Sequence, residues 1–233
     1  KRIAEKPNAG LVTEADHGSE EIILRLLKKK YKQDHFLAEE TGDVCNGSAS
    51  PFRWHIDPLD GTTNYVHGFP MFCVSIGLEL IPNIPVLGVI HQPITGEIYY
   101  AYYGGGAFLN FRKIQVSKIS KVSDALLTTG FSYRKKEFLK KELKTFGKLV
   151  HVSRGIRRTG SAALDLALVA SSHLDGFWER GLSSWDVCAG IVLVTEAGGK
   201  VTNLDGKAFT LSSQSLLASN GKLHRSLSHL LAG

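Results

Sequence analysis

Residues 54–64 read WHIDPLDGTTN, and this stretch decides how the rest of the chain is interpreted. Its apolar start is typical of a strand that ends here. Asp57 and Asp60 stand three positions apart around a proline, which fixes its own φ and favours a turn. Gly61 and the polar residues 62–64 follow at once. We therefore expect both carboxylates to face one space at the end of a strand.

Two carboxylates beside small polar groups suit metal-assisted phosphoryl chemistry. Carboxylates alone repel a phosphate, whereas carboxylates that hold Mg²⁺ attract it. Gly61 is expected to let the backbone approach a ligand, and Thr62, Thr63 and Asn64 to supply hydrogen-bond donors. A helix that starts here would add an anion site. The alternative is purely structural, because Asp-Pro and Asp-Gly are common turn dipeptides.

Two further acidic positions extend this pattern. Glu39 and Glu40 end a short predicted strand, and Asp186 lies at the start of a predicted apolar helix. Each has an ordinary alternative, since the glutamates could be solvated loop residues and Asp186 a helix N-cap. An N-cap aspartate can still direct one oxygen toward a metal ion.

The composition is that of an ordinary globular chain, with 233 residues, 43% of them hydrophobic and 21% charged. The net charge of +6 includes lysine-rich segments at 28–30 and 134–148, which suit either solvated helix faces or a polyanion surface. Cys45, Cys73 and Cys188 form no C-x-x-C pair, which predicts reduced thiols in a cytosolic protein. No apolar run is long enough for a membrane span.

Hydrophobic periodicity divides the chain into two halves, 1–118 and 119–233. The first half predicts a helix over 17–31, capped by Asp16 or Ser19, and a largely antiparallel sheet. Its predicted strands cover residues 35–38, 52–56, 71–80, 85–91, 97–102 and 107–110. In the second half strands alternate with helices, which is typical of an α/β unit. The predicted strands there cover 125–131 and 175–179, and the predicted helices cover 135–150, 161–171 and 185–197.

Taken together, the motifs resemble the inositol monophosphatase family, a Mg²⁺-dependent and lithium-sensitive group of phosphomonoesterases. The matching stretches are VTEAD at 12–16, EE at 39–40, WHIDPLDGTTN at 54–64, RRTGSAALDLA at 157–167 and WDVCAGIVLVTEAGG at 185–199. The resemblance covers nearly the whole chain. It implies a layered α-β-α-β-α sugar-phosphatase fold, α+β in its first half and α/β in its second, with the active site between the two. It also implies a cytoplasmic homodimer, and a helix ahead of the VTEAD element that is expected to precede residue 1.

The resemblance assigns a metal site to five residues. Glu39, Asp57 and the backbone carbonyl of Leu59 are implied to hold one Mg²⁺. Asp57, Asp60 and Asp186 are implied to hold a second, and a third, weaker ion is implied near Glu39. The implied cofactor is therefore two or three Mg²⁺ ions per site.

The resemblance also assigns catalytic and substrate-binding roles. Glu39 and Thr62 are implied to orient and deprotonate the attacking water, and Asp16 to hold the Thr62 hydroxyl in place. No covalent enzyme intermediate is implied. The implied substrate-binding residues are Asp60, Gly61, Thr62, Thr63, Gly160, Ser161, Ala162 and Glu179.

The implied substrate is inositol monophosphate or a similar phosphorylated polyol or sugar. Relatives that act on fructose 1,6-bisphosphate, NADP, histidinol phosphate or a nucleotide 3′-phosphate remain alternatives, because the metal core does not separate them. From another class, the +6 charge leaves open a nucleic-acid- or protein-binding module that retains the fold. The intact acidic set argues against that alternative, since a pure binder needs none of it. Neither nucleic acid nor membrane is an expected partner.

Overall fold

The computed structural model describes residues 3–6, 10–44, 50–133 and 136–232. Cys45, Arg134 and Lys135 lie outside the described residues. Cys73 and Cys188, the cysteines within them, are buried and unpaired. No helix in the described ranges is both long and apolar enough to cross a bilayer.

An eight-stranded sheet forms the frame of the first half. The strands of this half are β1 (Ile3–Lys6), β2 (Gly10–Thr13), β3 (His35–Ala38), β4 (Gly42–Val44), β5 (Phe52–Asp60), β6 (Cys73–Leu80), β7 (Ile84–Gln92), β8 (Glu97–Tyr102), β9 (Gly106–Leu109) and β10 (Arg112–Ile114). The sheet has the order β10-β9-β8-β7-β6-β5-β3-β4, and β1 and β2 form a separate hairpin. Only the β3–β5 pair is parallel among these described strands. The predicted, largely antiparallel sheet is confirmed.

The second half contains a five-stranded mixed sheet. Its strands are β11 (Leu126–Thr129), β12 (Gly155–Arg157), β13 (Gly176–Arg180), β14 (Lys200–Thr202) and β15 (Ser215–Ser219). Their order is β12-β11-β13-β15-β14. Strand β11 runs parallel to both of its neighbours, and the other pairs are antiparallel. The two sheets divide between residues 114 and 126, and the boundary near 118 stays a prediction.

The helices form three layers around the two sheets. They are α1 (Glu14–Lys30), α2 (Thr62–His67), α3 (Lys136–Val152), α4 (Ala162–Ala170), α5 (Ser184–Glu196) and α6 (His224–Leu231). Helix α1 packs on the outer face of the large sheet, α4 and α5 lie between the sheets, and α3 and α6 cover the small sheet. Because α4 and α5 contact elements on both sides, their sequences have no polar face. The predicted α-β-α-β-α order is confirmed.

Helix α5 lies unusually close to the large sheet. A Cβ atom at Gly77 would lie 2.6 Å from Cys188 Sγ, and one at Gly88 would lie 2.3 Å from the Ala189 carbonyl oxygen. No side chain fits at either strand position. These glycines let the N-terminal half of α5, which carries Asp186, settle directly against strands β6 and β7.

The starts of α1 and α5 correct two predictions. Helix α1 begins at Glu14 with Thr13 as its N-cap, so the predicted caps Asp16 and Ser19 were wrong. Helix α5 has Ser183 as its N-cap rather than Asp186. In both helices the aspartate lies three residues past the cap, where its carboxylate accepts a hydrogen bond from the N-cap N–H.

The turn predicted within DPLD was also wrong. Strand β5 continues to Asp60, and the register against β6 shifts between Asp57 and Asp60. Such a shift is a bulge, which inserts residues into one strand without ending it. The turn follows at Gly61, whose φ of 97° is accessible chiefly to glycine.

Candidate active site

The bulge of β5 presents two carboxylates at one end of the large sheet. Asp57 is only 2% exposed, and its Oδ1 accepts a 3.0 Å hydrogen bond from the Leu59 N–H. Asp60 Oδ2 accepts 2.7 Å hydrogen bonds from Ser161 Oγ and from the Ala163 N–H, across 101 and 103 residues of sequence. Asp60 thereby ties the end of β5 to the start of α4.

Glu39 and Asp186 complete a cluster of four carboxylates. Burial raises the pKa of Asp57 well above its usual value, and the charges of Asp60, Glu39 and Asp186 raise it further. Burial raises the pKa of Asp60 to about 6, although its hydrogen bonds from Ser161 and Ala163 oppose that shift. Glu39 just after β3, Asp60 in β5 and Asp186 in α5 therefore lie close enough to Asp57 for the charge of each to affect its pKa.

Local structure explains where Glu39 and Asp186 lie. The Glu39 N–H donates a 3.1 Å hydrogen bond to the Ile56 carbonyl, which extends the parallel pairing of β3 with β5 by one residue. Glu39 therefore leaves the sheet beside Asp57. Asp186 lies in the first turn of α5, where its carboxylate accepts a 2.7 Å hydrogen bond from the Ser183 N–H.

Thr62 and Asp16 form a hydrogen-bonded pair next to the cluster. Thr62 Oγ1 lies 2.9 Å from Asp16 Oδ1 and 3.1 Å from the Leu59 carbonyl oxygen, and its single proton is shared between these two acceptors. Asp16 is fully buried and its other oxygen accepts from Thr13 Oγ1 at 2.6 Å. The predicted contact between Asp16 and Thr62 is present, and it fixes the orientation of the Thr62 hydroxyl.

Two neighbours of Thr62 have structural contacts of their own, and the binding roles predicted for residues 61–64 stay predictions. A Cβ atom at Gly61 would lie 2.9 Å from the Met71 carbonyl oxygen, so packing and conformation already require glycine there. The Asn64 side-chain amide donates to the carbonyl oxygens of Met71 at 2.5 Å and Thr159 at 2.8 Å, so it braces the backbone. Thr63 is exposed and is not among the described residues that line the cavity beside Asp60.

That cavity has a volume of about 140 Å³. It is lined by six predicted residues, which are Asp60, Gly160, Ser161, Ala162, Glu179 and Asp186, and by four further ones, which are Gly130, Arg158, Asp165 and Leu182. Its described lining does not include Glu39, Asp57 or Thr62, so it adjoins the carboxylate cluster only through Asp60 and Asp186. A larger groove of about 700 Å³ runs beside β11 and has no predicted site residue in its described lining.

Asp165 and Arg158 are the polar cavity residues that the sequence reasoning missed. Asp165 is 1% exposed, and its Oδ1 accepts from Thr128 Oγ1 at 2.9 Å and Thr159 Oγ1 at 2.8 Å. Burial raises the pKa of Asp165 to about 8, although both hydrogen bonds oppose the shift. The signal was a single acid inside an otherwise apolar helix. Arg158 carried a weaker signal, its position two residues before Gly160.

Glu179 lies on the far wall of the cavity, at the end of β13. Burial raises the pKa of its carboxyl well above the usual value, and the charges of Asp165 and Asp186 raise it further. A Cβ atom at Gly130 would lie 2.0 Å from Glu179 Oε2, so the carboxyl packs directly on the glycine backbone. Burial likewise raises the pKa of the Cys73 and Cys188 thiols, so neither is a thiolate nucleophile.

The donor chemistry of the cluster fits a hard divalent cation. Carboxylate and carbonyl oxygens are the ligands that Mg²⁺ prefers, and the mutual repulsion that raises the Asp57 pKa is relieved by a cation. In the described residues, no three histidine, cysteine or acidic side chains already stand in a complete metal-ligating arrangement. The cluster therefore offers suitable metal ligands, but the described side chains do not yet enclose a metal position.

The sequence profile of the inositol monophosphatase family matches residues 1–232 of the chain. The chain belongs to the inositol monophosphatase family. An inositol-1-monophosphatase from Synechocystis sp. is 48% identical to it, over 100% of this chain and 80% of that protein. The solved structure of inositol monophosphatase from Anabaena (Nostoc) sp. matches with a TM-score of 0.91 at 46% identity, over 95% of this chain and 87% of that one. A relative of another name, Nus factor SuhB from Pseudomonas aeruginosa, is 40% identical over 97% of this chain and 84% of its own length.

These matches confirm the family, the layered fold and the phosphatase class. The chain is an inositol-1-monophosphatase-like phosphatase, as the sequence predicted.

Proposed function

We propose that this chain hydrolyses inositol monophosphate, or a closely similar phosphorylated polyol, with Mg²⁺ held by the carboxylate cluster. One observation carries the proposal. Asp60 belongs both to the cluster with Asp57, Glu39 and Asp186 and to the cavity with Glu179. A metal-binding group and a hydroxyl-binding cavity therefore meet at Asp60, and also at Asp186, which lines the same cavity. The relatives named as inositol-1-monophosphatases support this assignment.

The proposed metal ligands are Glu39, Asp57, the Leu59 carbonyl, Asp60 and Asp186, for two or three Mg²⁺ ions. When bound, Mg²⁺ stabilises negative charge on phosphoryl oxygens and makes a water molecule more acidic. The buried Asp57 is the proposed shared ligand, because the other three carboxylates all act on its pKa.

Thr62 is proposed to position the attacking water. Its O–H is already directed to Asp16 and to the Leu59 carbonyl, so Thr62 Oγ1 can only accept a further hydrogen bond. A water molecule bound there must donate to Thr62, which leaves a lone pair free to attack phosphorus. Glu39 is the proposed base that takes the remaining proton. Asp16 is a positioning residue that acts through Thr62.

The backbone N–H groups of Gly61 and Thr62, with Thr63, are proposed to bind the phosphoryl oxygens. They lie at the start of α2, where donors are free of helical partners. Such donors stabilise the charge that develops as the leaving oxygen departs.

The small cavity is proposed to hold the alcohol part of the substrate. Asp60, Asp165 and Glu179 offer carboxyl groups to hydroxyls, and Gly160, Ser161 and Ala162 form the wall at the start of α4. Arg158 acts on the site electrostatically, since its positive charge lowers the pKa of Asp60 and Asp165 and so opposes the effect of burial. A volume of about 140 Å³ suits one small ring better than a nucleotide.

The resemblance to the family also leads us to propose a homodimer, a cytoplasmic location and inhibition by lithium. Sedimentation of the purified protein tests the dimer, fractionation of cells tests the location, and a lithium titration of activity tests the inhibition.

Phosphate release across a substrate panel tests the proposed function. The panel contains inositol 1-phosphate, fructose 1,6-bisphosphate, NADP, histidinol phosphate and a 3′,5′-nucleoside bisphosphate, each assayed with Mg²⁺, with EDTA and with lithium. We expect inositol 1-phosphate to have the highest kcat/KM and to lose turnover with EDTA. If kcat/KM were at least 100-fold higher for another member of the panel, that compound would be the substrate and the proposed metal-dependent hydrolysis would stand.

A binding role is the second candidate, because one relative is named a Nus factor and the chain has a net charge of +6. No phosphate release from any substrate, together with salt-dependent RNA binding that survives Asp60→Asn, would favour this candidate.

A further inference from the structure

A row of three polar side chains, the buried His55 and Glu79 and the half-buried Ser184, connects β6, β5 and α5. His55 Nε2 lies 2.9 Å from Glu79 Oε2, and His55 Nδ1 lies 2.9 Å from Ser184 Oγ. His55 is 2% exposed and Glu79 is 4% exposed. The contact between His55 and Ser184 joins residues that are 129 positions apart. His55 lies within the 54–64 stretch, but none of the three has a role in the site as proposed above.

The direction of each hydrogen bond follows from the chemistry of Glu79. Its Oε1 accepts a 2.6 Å hydrogen bond from the Asn83 N–H, and an ionised carboxylate has no proton to donate. His55 Nε2 must then carry the proton and donate to Glu79 Oε2. In the neutral imidazole His55 Nδ1 is then the acceptor, and the Ser184 hydroxyl donates to it. Both ring nitrogens of His55 have partners only when the row is complete.

The row lies directly beside two of the proposed metal ligands. His55 precedes Asp57 by two residues in β5, and alternate residues of a strand share a face. Ser184 precedes Asp186 by two residues in the first turn of α5. A bond from His55 to Ser184 therefore holds the strand that carries one acid against the helix turn that carries the other.

We propose that His55 is a positioning residue, which Glu79 orients and which fixes Asp186 relative to Asp57 through Ser184. This inference rests on the proposed function, because it assigns the row a role in Mg²⁺ binding. Partners that hold ligand groups in place from behind typically change metal affinity by about 10- to 100-fold when removed. The row is thus expected to control affinity for Mg²⁺ more than the stability of the fold.

The chain offers a matched control in the second sheet. His224 is also buried, with Nδ1 2.9 Å from Ser219 Oγ and Nε2 2.8 Å from Thr202 Oγ1. Ser219→Ala removes the same kind of serine–histidine hydrogen bond as Ser184→Ala, at the same distance. It does so in a part of the small sheet where no residue is a proposed ligand.

The test is calorimetric titration of Mg²⁺ into wild type, Ser184→Ala, Ser184→Thr and Ser219→Ala without substrate, with thermal unfolding of each protein in EDTA. We expect Ser184→Ala to raise the Kd for Mg²⁺ by about tenfold, Ser184→Thr to restore it through its hydroxyl, and Ser219→Ala to stay within about twofold. Both alanine variants are expected to lose similar stability in EDTA.

Two results would overturn the positioning role while the proposed function stands. One is wild-type affinity for Mg²⁺ in Ser184→Ala. The other is a loss of Mg²⁺ affinity in Ser219→Ala as large as that in Ser184→Ala, which would show general loosening of the fold. Failure of the wild-type protein itself to bind Mg²⁺ and to release phosphate would instead remove the proposed function, and the positioning role with it.

Discussion

Thr62 Oγ1 and Asp16 Oδ1 lie 2.9 Å apart, across 46 residues of sequence. Thr62 is the first residue of α2, and Asp16 lies in the first turn of α1. Asp16 accepts from the backbone and the side chain of Thr13 with its other oxygen, so it cannot turn away from Thr62 without breaking the cap of α1. The start of α1 therefore holds the hydroxyl proposed to orient the attacking water.

Replacing Thr62 tests this arrangement. Thr62→Ala removes the acceptor for the attacking water, and we expect kcat to fall by about 100-fold or more with little change in KM. Thr62→Ser keeps the hydroxyl and is the matched control, with kcat expected within about tenfold of wild type. Steady-state kinetics on inositol 1-phosphate measures both variants. An effect of Thr62→Ala confined to KM would contradict the assigned role.

Asp60→Asn is expected to abolish turnover and to stabilise the metal-free protein. Burial raises the Asp60 pKa to about 6, so keeping this group ionised at pH 7.5 costs folding free energy in the absence of a cation. A neutral amide avoids that cost, and we expect a gain of about 1–3 kcal/mol in EDTA. Denaturant unfolding in EDTA measures the gain. Wild-type activity in this variant would refute the assignment of Asp60 to the metal site.

Gly130→Ala is expected to disturb the cavity without unfolding the protein. The new methyl group would lie 2.0 Å from Glu179 Oε2, and the flexible carboxyl end of Glu179 can move to relieve the clash. Because Glu179 is a proposed substrate ligand, we expect KM for inositol 1-phosphate to rise by about tenfold while stability changes by less than about 1 kcal/mol. Gly147→Ala is the control.

Gly147 lies within α3 and has no neighbour within 4 Å of an added Cβ atom, among the described residues. Alanine there is expected to leave KM unchanged and to add up to about 1 kcal/mol of stability, because alanine favours the helix. If Gly130→Ala also leaves KM unchanged, Glu179 does not contact the substrate.

His224 is expected to make the fold less stable in mild acid. Burial, and then the charge of Lys200, lowers the pKa of His224 from its usual 6.5 to about 4. The unfolded chain thus binds a proton that the folded protein rejects, so stability is fully present above pH 6.5 and is lost as the pH falls toward 4. The free energy of unfolding is expected to fall by about 2–3 kcal/mol by pH 4.5.

His224→Gln removes this titration and gives the comparison that isolates it. Urea unfolding in EDTA at pH 7.5 and at pH 4.5 measures both proteins. The stability advantage of wild type over the variant is expected to shrink by that amount at the lower pH. An advantage that is equal at both pH values would show that His224 does not drive the acid sensitivity.

Features encoded in contiguous stretches could be predicted from the sequence. The start of β5, the glutamates after β3 and the apolar helices α4 and α5 each depend on a short window of residues. Exact boundaries were harder, because the carboxylates of Asp16 and Asp186 reach back to cap their helices from inside the first turn. A prediction from residue type alone assigns such an aspartate as the N-cap.

Short elements and long-range contacts could not be predicted in this way. Strands β12 and β14 have three residues each, too few to show a period, and they exist because longer neighbours pair with them. The contact of His55 with Ser184 depends on how α5 settles on the glycines of β6 and β7. No local pattern contains that information.

Reversal of activity by metal removal tests the central claim most directly. Phosphate release from inositol 1-phosphate is followed for wild type and Asp60→Asn with Mg²⁺, after EDTA, and after Mg²⁺ is restored. The account predicts turnover by wild type that disappears with EDTA and returns with Mg²⁺, and no turnover by Asp60→Asn in any condition. Turnover by wild type that continues in EDTA would contradict the account.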